Sequence, residues 1–201
     1  ACNRNKRSVT VDMAKPEGQQ LIRELARQSD VVVENFKTGG LARYGLDYAS
    51  LSALNPRLIY CSVTGFGHTG PYAPRAGYDL LVQAESGLIS VSGAAGEWGR
   101  IGVSLCDINA GLNALIGIQQ ALMLRARSGR GSAVKVSLFD SAAELMSVPY
   151  LHARYGGKAP DRVGLKHPTI TPYGAFTCAD GRDIVISIQN EREWADFCRE
   201  V

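Results

Sequence analysis

The sequence contains no apolar run approaching the roughly 18 residues that a helix needs to cross a bilayer, and its opening, ACNRNKRSVTVDM, has no apolar leader segment. A cytoplasmic protein with no membrane partner is therefore expected. Excess charge is also scarce: 22 Lys and Arg against 19 Asp and Glu leave a net charge of +3, too small for a nucleic-acid footprint. The five cysteines, Cys2, Cys61, Cys106, Cys178 and Cys198, are irregularly spaced and include no CxxC pair. That pattern argues against structural zinc and against a disulfide framework. Cys61 and Cys106 lie in apolar segments, where a free thiol acts as a small buried hydrophobe. His68, His152 and His167 are far apart and lack HxxxH spacing, so no metal site is expected. No GxSxG elbow occurs, which leaves Ser-His-Asp catalysis unsupported. Internal repeats and low-complexity tracts are missing too.

What is present fits a globular protein with a sizeable core: 45% of the 201 residues are hydrophobic and 20% charged. Pro16 through Ser29 reads as a helix, with proline at its start, Glu17 in the first turn, and Leu21, Ile22, Leu25 and Ala26 at helical spacing. Val31-Val32-Val33 has the β-branched character of a strand buried on both faces of a parallel sheet. A short helix at Tyr48 to Leu54 closes at Asn55-Pro56, and RLIYCSV from Arg57 to Val63 is the next strand. Helices are predicted over Asp79 to Leu88, Ile108 to Arg127 and Asp140 to Tyr155, with strands at Ser8 to Asp12 and Ala133 to Leu138. Strands separated by helices of this length imply right-handed crossovers, hence an α/β fold with a mainly parallel sheet. Residues 1–155 read as one large domain, 156–174 as a Gly- and Pro-rich linker, and 175–201 as the start of a smaller domain opening with a hairpin about Asp180-Gly181.

Three stretches carry candidate chemistry. Gly65-Phe66-Gly67-His68-Thr69-Gly70 matches GxGxxG after a strand. A dinucleotide fingerprint, however, needs its last glycine to open a helix, and Pro71-Tyr72-Ala73-Pro74 continues a loop instead. The glycines then serve to turn the backbone and bring it close to a ligand. Asp107 follows the apolar run Ile101 to Cys106 and precedes the longest helical pattern. An N-cap is the plain reading, and the position is compatible with a carboxylate at the carboxyl end of a parallel strand, where α/β folds place ligands. Asn35-Phe36-Lys37-Thr38-Gly39-Gly40, with Arg43 beyond, follows a strand and offers cations for phosphates and a ring for a base; simple solvated loop cations are the alternative. Tyr78 and Asp79 read as an aromatic and the first-turn acid of a helix.

Taken together, VTVDMAKPEG, DVVVENFKTGGLARYGLDY, NPRLIYCSVTGFGHTGPYAPRAGYDLLVQAESGLISVSG and DINAGLNALIGIQQALMLRARSGRGSAVKVSLFD resemble the family III CoA-transferases, in order and through nearly the whole chain. That group includes formyl-CoA, carnitine and dicarboxylate CoA-transferases, with α-methylacyl-CoA racemase as a relative. The resemblance implies a Rossmann-like large domain with helices on both faces of its sheet, a smaller second domain, and an interlocked homodimer. It implies that this chain lacks the first βα segment and most of the small domain. The catalytic aspartate falls on Asp107, and not on Asp140 of SLFDS. CoA-contacting stretches fall on Val11, Asp12, Met13 and Ala14, on Asn35, Phe36 and Lys37, on Arg43, and on Arg75, Ala76, Gly77 and Tyr78. Ala14 offers only backbone where relatives often carry Lys or Arg. CoA or acyl-CoA enters as substrate, with no tightly bound cofactor expected, and a carboxylic acid as its partner. The racemases use a histidine where this chain has Tyr78, and a phenol is a poor general base at neutral pH. Racemisation of a 2-methylacyl-CoA is the alternative activity, and a non-catalytic CoA-binding module the alternative of another class.

Overall fold

The computed structural model describes residues 3–201, so Cys2 lies outside the described residues. Residues 6–12 run without regular structure into a tight turn, in which the Ala14 amide donates to Asp12 Oδ1 at 3.0 Å. The strand predicted at Ser8 to Asp12 is thus not formed: among the described residues no strand pairs with it. Helix α1 (Pro16–Gln28) follows, then β1 (Val31–Glu34), a 3-10 turn (Ala42–Tyr44), α2 (Tyr48–Leu54) and β2 (Ile59–Thr64). Next come α3 (Asp79–Glu85), α4 (Leu88–Val91), α5 (Leu105–Ser128), β3 (Ala133–Ser137), α6 (Leu138–Leu145) and α7 (Ser147–Gly156). The chain closes with β4 (Tyr173–Thr177), β5 (Asp183–Ser187) and α8 (Glu191–Glu200).

Strands β1, β2 and β3 form a parallel sheet in that order, with Val32 opposite Tyr60 and Cys61 opposite Val134. The fold is mixed α/β, as the alternation of strand and helix predicts. β2 is the central strand and its apolar run is buried almost throughout. β1 is an edge, and Val33 is 60% exposed, so the expectation that both its faces are covered does not hold. Two predicted helices are each split. Gly87, at φ +87°, separates α3 from α4. Met146 separates α6 from α7, where Pro149 has no N–H to donate and its ring would crowd the Leu145 carbonyl of a continuous helix.

The chain forms two compact units, residues 1–79 with 106–141, and residues 80–105 with 142–201. In the first, Ala26, Leu41, Leu46, Leu51, Leu58 and Tyr60 make a buried cluster. Full burial stabilises by about 1.5–3 kcal/mol for each of its leucines. Asn55 Nδ2 closes the end of α1 by donating to the carbonyls of Ala26 and Ser29, each at 3.1 Å. Gly117 brings α5 down on β3, since a Cβ there would lie 2.7 Å from Val134 Cγ1. Asn109 and Asn113 fasten the same helix to Ser141 at 2.7 and 3.0 Å. In the second unit β4 and β5 pair antiparallel as the predicted hairpin, and the Arg162 guanidinium lies 4.3 Å from the Trp98 ring centroid. Cys61 and Cys106 are buried free thiols, as the apolar context of each predicts.

Candidate active site

A cleft of about 650 Å³ opens in the first unit outside the carboxyl ends of the parallel strands. Open α/β sheets bind ligands at this position because loops diverge there and helix N-termini point inward. Its walls come from the segment after β1, the end of β2 with the loop that follows, and the first turns of α5. Of the residues predicted from sequence, Asn35, Phe36, Lys37, Arg75, Ala76, Gly77, Tyr78 and Asp107 all line it. Val11, Asp12, Met13, Ala14 and Arg43 line neither this cleft nor the smaller cavity described below. Met13 packs instead against the core cluster, and the Arg43 guanidinium lies 4.5 Å from the Tyr44 ring centroid.

The glycine loop has a geometric explanation of its own. A Cβ on Gly65 would lie 2.6 Å from Gly77 Cα, and a Cβ on Gly77 would lie 2.4 Å from Gly65 Cα. The two backbones therefore cross in contact, so both residues are glycine because each excludes a side chain on the other. Residues 65–77 form a loop closed at its neck by this crossing, which delivers Arg75 and Tyr78 to the cleft. Within the loop Arg75 is stacked, its guanidinium carbon 4.5 Å from the Tyr72 ring centroid and 5.2 Å from that of Phe66. Thr64 Oγ1 accepts from the Gly67 amide at 3.0 Å, and Thr38 Oγ1 donates to the Gly67 carbonyl at 3.3 Å, tying the loop to the segment after β1.

Asp107 stands in the first turn of α5, which begins at Leu105, so it is not the cap of that helix. The acceptor for the helix start is Asp79: its Oδ1 receives the amide of Cys106 at 2.8 Å and that of Asp107 at 3.4 Å. Early-turn amides have no intrahelical acceptor, and a carboxylate from elsewhere satisfies them. Among the described residues, no donor pairs with the Asp107 carboxylate, which is exposed in the cleft wall. Partial burial, and then the nearby charge of Asp79, hold its carboxyl above the usual range for aspartate. The neighbouring Cys106 thiol is pushed up to about 11, chiefly by burial and then by Asp79 and Asp107. It therefore stays protonated and takes no nucleophilic role at neutral pH. Sequence reasoning treated Asp79 only as the first acid of its own helix, since a contact reaching 27 residues along the chain leaves no local pattern.

A second cavity of about 180 Å³ is lined by Tyr60, Ser62, His68 and Lys135 among others, with Glu34 and Lys37 shared between the two. There His68 Nε2 and Ser62 Oγ are 2.8 Å apart. Burial, followed by the Lys135 charge, lowers the affinity of His68 for a proton despite the opposing influence of Glu34. Among the described residues, no cluster of three or more His, Cys, Asp or Glu side chains is placed to hold a metal ion, and no helix is long and apolar enough to cross a membrane.

The chain is similar to known proteins. The chain is 44% identical over 199 residues to the succinate–glutarate CoA-transferase of Agrobacterium fabrum, a match covering 98% of this chain and 50% of that protein. It is 38% identical over 200 residues to the human succinyl-CoA:glutarate CoA-transferase, covering 98% of this chain and 45% of that one. The crystal structure of a CAIB/BAIF family protein from Brucella suis superposes with a TM-score of 0.90 at 45% identity, over 100% of this chain and 53% of that one. The chain thus spans about half the length of the curated relatives it matches. The family model described as CoA-transferase family III matches residues 1–201, and with these likenesses it shows that the chain belongs to CoA-transferase family III.

Proposed function

We propose that this chain is the catalytic part of an enzyme that moves CoA from an acyl-CoA to a carboxylic acid, with Asp107 as the nucleophile. The observation that carries the reading is the Asp107 carboxylate. It stands at the strand ends in a cleft large enough for a pantetheine arm, while Asp79 takes the helix amides that would otherwise engage it. A carboxylate oxygen attacks the thioester carbonyl, the C–S bond breaks, and CoA leaves as thiolate from a mixed anhydride. The thiolate then attacks the Asp107 carbonyl, releasing the donor acid and leaving an aspartyl-CoA thioester. The acceptor carboxylate attacks that thioester and again displaces thiolate. Thiolate attack on the acceptor's acyl carbon then yields the new acyl-CoA and frees Asp107. The cycle balances without net proton transfer. Backbone amides of the glycine loop are the proposed donors to the oxyanions formed, each typically worth about 3 kcal/mol.

Asn35, Phe36, Lys37, Arg75, Ala76, Gly77 and Tyr78 are the proposed CoA contacts in the cleft, with Val11, Asp12, Met13, Ala14 and Arg43 as outer contacts toward the nucleotide end. Dicarboxylates such as succinate and glutarate are the proposed acids, a choice supported by the names of the two enzymes above. The finer architecture is also a proposal. It comprises a doubly wound Rossmann-like domain over 1–155, a linker at 156–174, a second domain opening at 175–201, and an interlocked homodimer in the cytoplasm. The exposed Leu112, Leu115, Ile116, Met123 and Leu124 on α5 support burial of that helix against another polypeptide surface. Tyr78, 72% exposed in the cleft, supplies no general base for racemisation.

The test is chemical trapping in the full-length protein. Succinyl-CoA followed by hydroxylamine should convert Asp107 to its hydroxamate, seen as a mass change on one peptide, and Asp107→Asn should abolish transfer while leaving CoA affinity largely intact. An unmodified Asp107 peptide, with transfer proceeding, overturns the assignment.

A further inference from the structure

Asp79 lies within the cleft wall beside Asp107, and its Oδ1 accepts the amides of Cys106 and Asp107. An aspartate in the first helical turn ordinarily has free amides within reach of its own short side chain, and capping those donors would hold the carboxylate against the backbone. Here the competing donors are already occupied from α3. We infer that Asp79 is a positioning residue for Asp107, fixing the first turn of α5 so that the Asp107 carboxylate is presented unpaired to the cleft. The inference rests on Asp107 being the nucleophile.

The same contact gives Asp79 an electrostatic role. A fixed negative charge this close makes the Asp107 carboxylate more basic, in the direction that burial already pushes it. A more basic carboxylate is a better nucleophile once ionised. The other charged or titratable groups lining the same cleft are Glu34, Lys37, Arg75 and Tyr78, and Cys106 is next in sequence. Among the described residues, Asp79 is the one charge acting on Asp107 directly, so the charge-removing Asp79→Asn is the variant in which the titration of Asp107 is compared with the parent.

The experiment compares Asp79→Asn, Asp79→Ala and Asp107→Asn in the full-length protein. The readouts are kcat and kcat/KM against pH with succinyl-CoA and glutarate, CoA affinity by calorimetry, and thermal stability. Asp79→Ala should lower kcat by roughly 10- to 100-fold with CoA affinity nearly unchanged, the scale of a lost hydrogen bond to a charged group. Asp79→Asn keeps an acceptor oxygen and removes the charge. It should restore much of kcat and move the acidic limb of kcat/KM to lower pH, because Asp107 then ionises more easily. Parental kcat and an unmoved limb in both variants overturn the positioning role. So do equal losses in both, accompanied by lost CoA affinity and a lowered melting temperature, since those mark a purely structural part. Asp107→Asn retaining transfer overturns the nucleophile reading itself. An inactive Asp107→Asn beside unaffected Asp79 variants overturns only the inference about Asp79.

Discussion

Replacing Gly65 with alanine tests the backbone crossing that closes the loop delivering Arg75 and Tyr78. The added Cβ would stand 2.6 Å from both Cα and N of Gly77, atoms that cannot rotate away as a flexible side chain does. Relief requires one strand of the crossing to move. Overpacking of this kind costs roughly 1–3 kcal/mol. For a chain of this size each kcal/mol lowers the melting temperature by about 2–4 °C, so the expected fall is roughly 2–12 °C. Displacement of the neck also shifts Arg75 to Tyr78, so CoA affinity should weaken along with stability. Differential scanning calorimetry with CoA titration reads both quantities. Gly156→Ala is the control, because a Cβ there meets nothing within 4 Å. A Gly65→Ala protein that melts within about 1 °C of the parent and binds CoA equally well would refute the crossing as a constraint.

Gly111 lies inside α5 with open space where a Cβ would go, so Gly111→Ala should stabilise by about 0.4–1 kcal/mol, measured by urea denaturation. Asn55→Ala strips the carbonyls of Ala26 and Ser29 of their shared donor and should cost about 1–3 kcal/mol in the same assay. Asp107→Asn should raise the melting temperature at neutral pH. With its pKa raised in the folded state, Asp107 favours folding below its unfolded value, and that contribution is lost as pH rises through the folded value. The gain from asparagine therefore vanishes in acid, and a gain that persists at pH 3 would contradict the sign.

The parallel sheet was legible because β2 carries a continuous apolar run and β1 a β-branched one, signals that lie within a few consecutive residues. Ser8 to Asp12 has comparable local character, yet a strand also needs a partner, which the segment does not state. Pro149 was a visible breaker inside a predicted helix, and its effect on the Leu145 carbonyl outweighed the apolar periodicity around it. At the candidate site, it was the family resemblance, more than residue types, that singled out Asp107, the segment after β1 and the end of the glycine loop, and these line one cleft. The pairing of Gly65 with Gly77, and of Asp79 with the start of α5, stayed hidden because each joins distant positions. The crossing with Gly77 accounts for Gly65 alone and leaves the ligand reading of the rest of the glycine string as it stands.

The bond from the Cys106 amide to Asp79 also acts as a clasp at the base of residues 80–105, whose two ends it holds together at 2.8 Å. A segment that departs and returns at one fixed point can change length cheaply, at about 0.6 kcal/mol for each doubling of a flexible loop. Within that span the exposed turn at 94–97, and not the packed helices α3 and α4, is thus the natural place to graft or lengthen sequence while the start of α5 keeps its register.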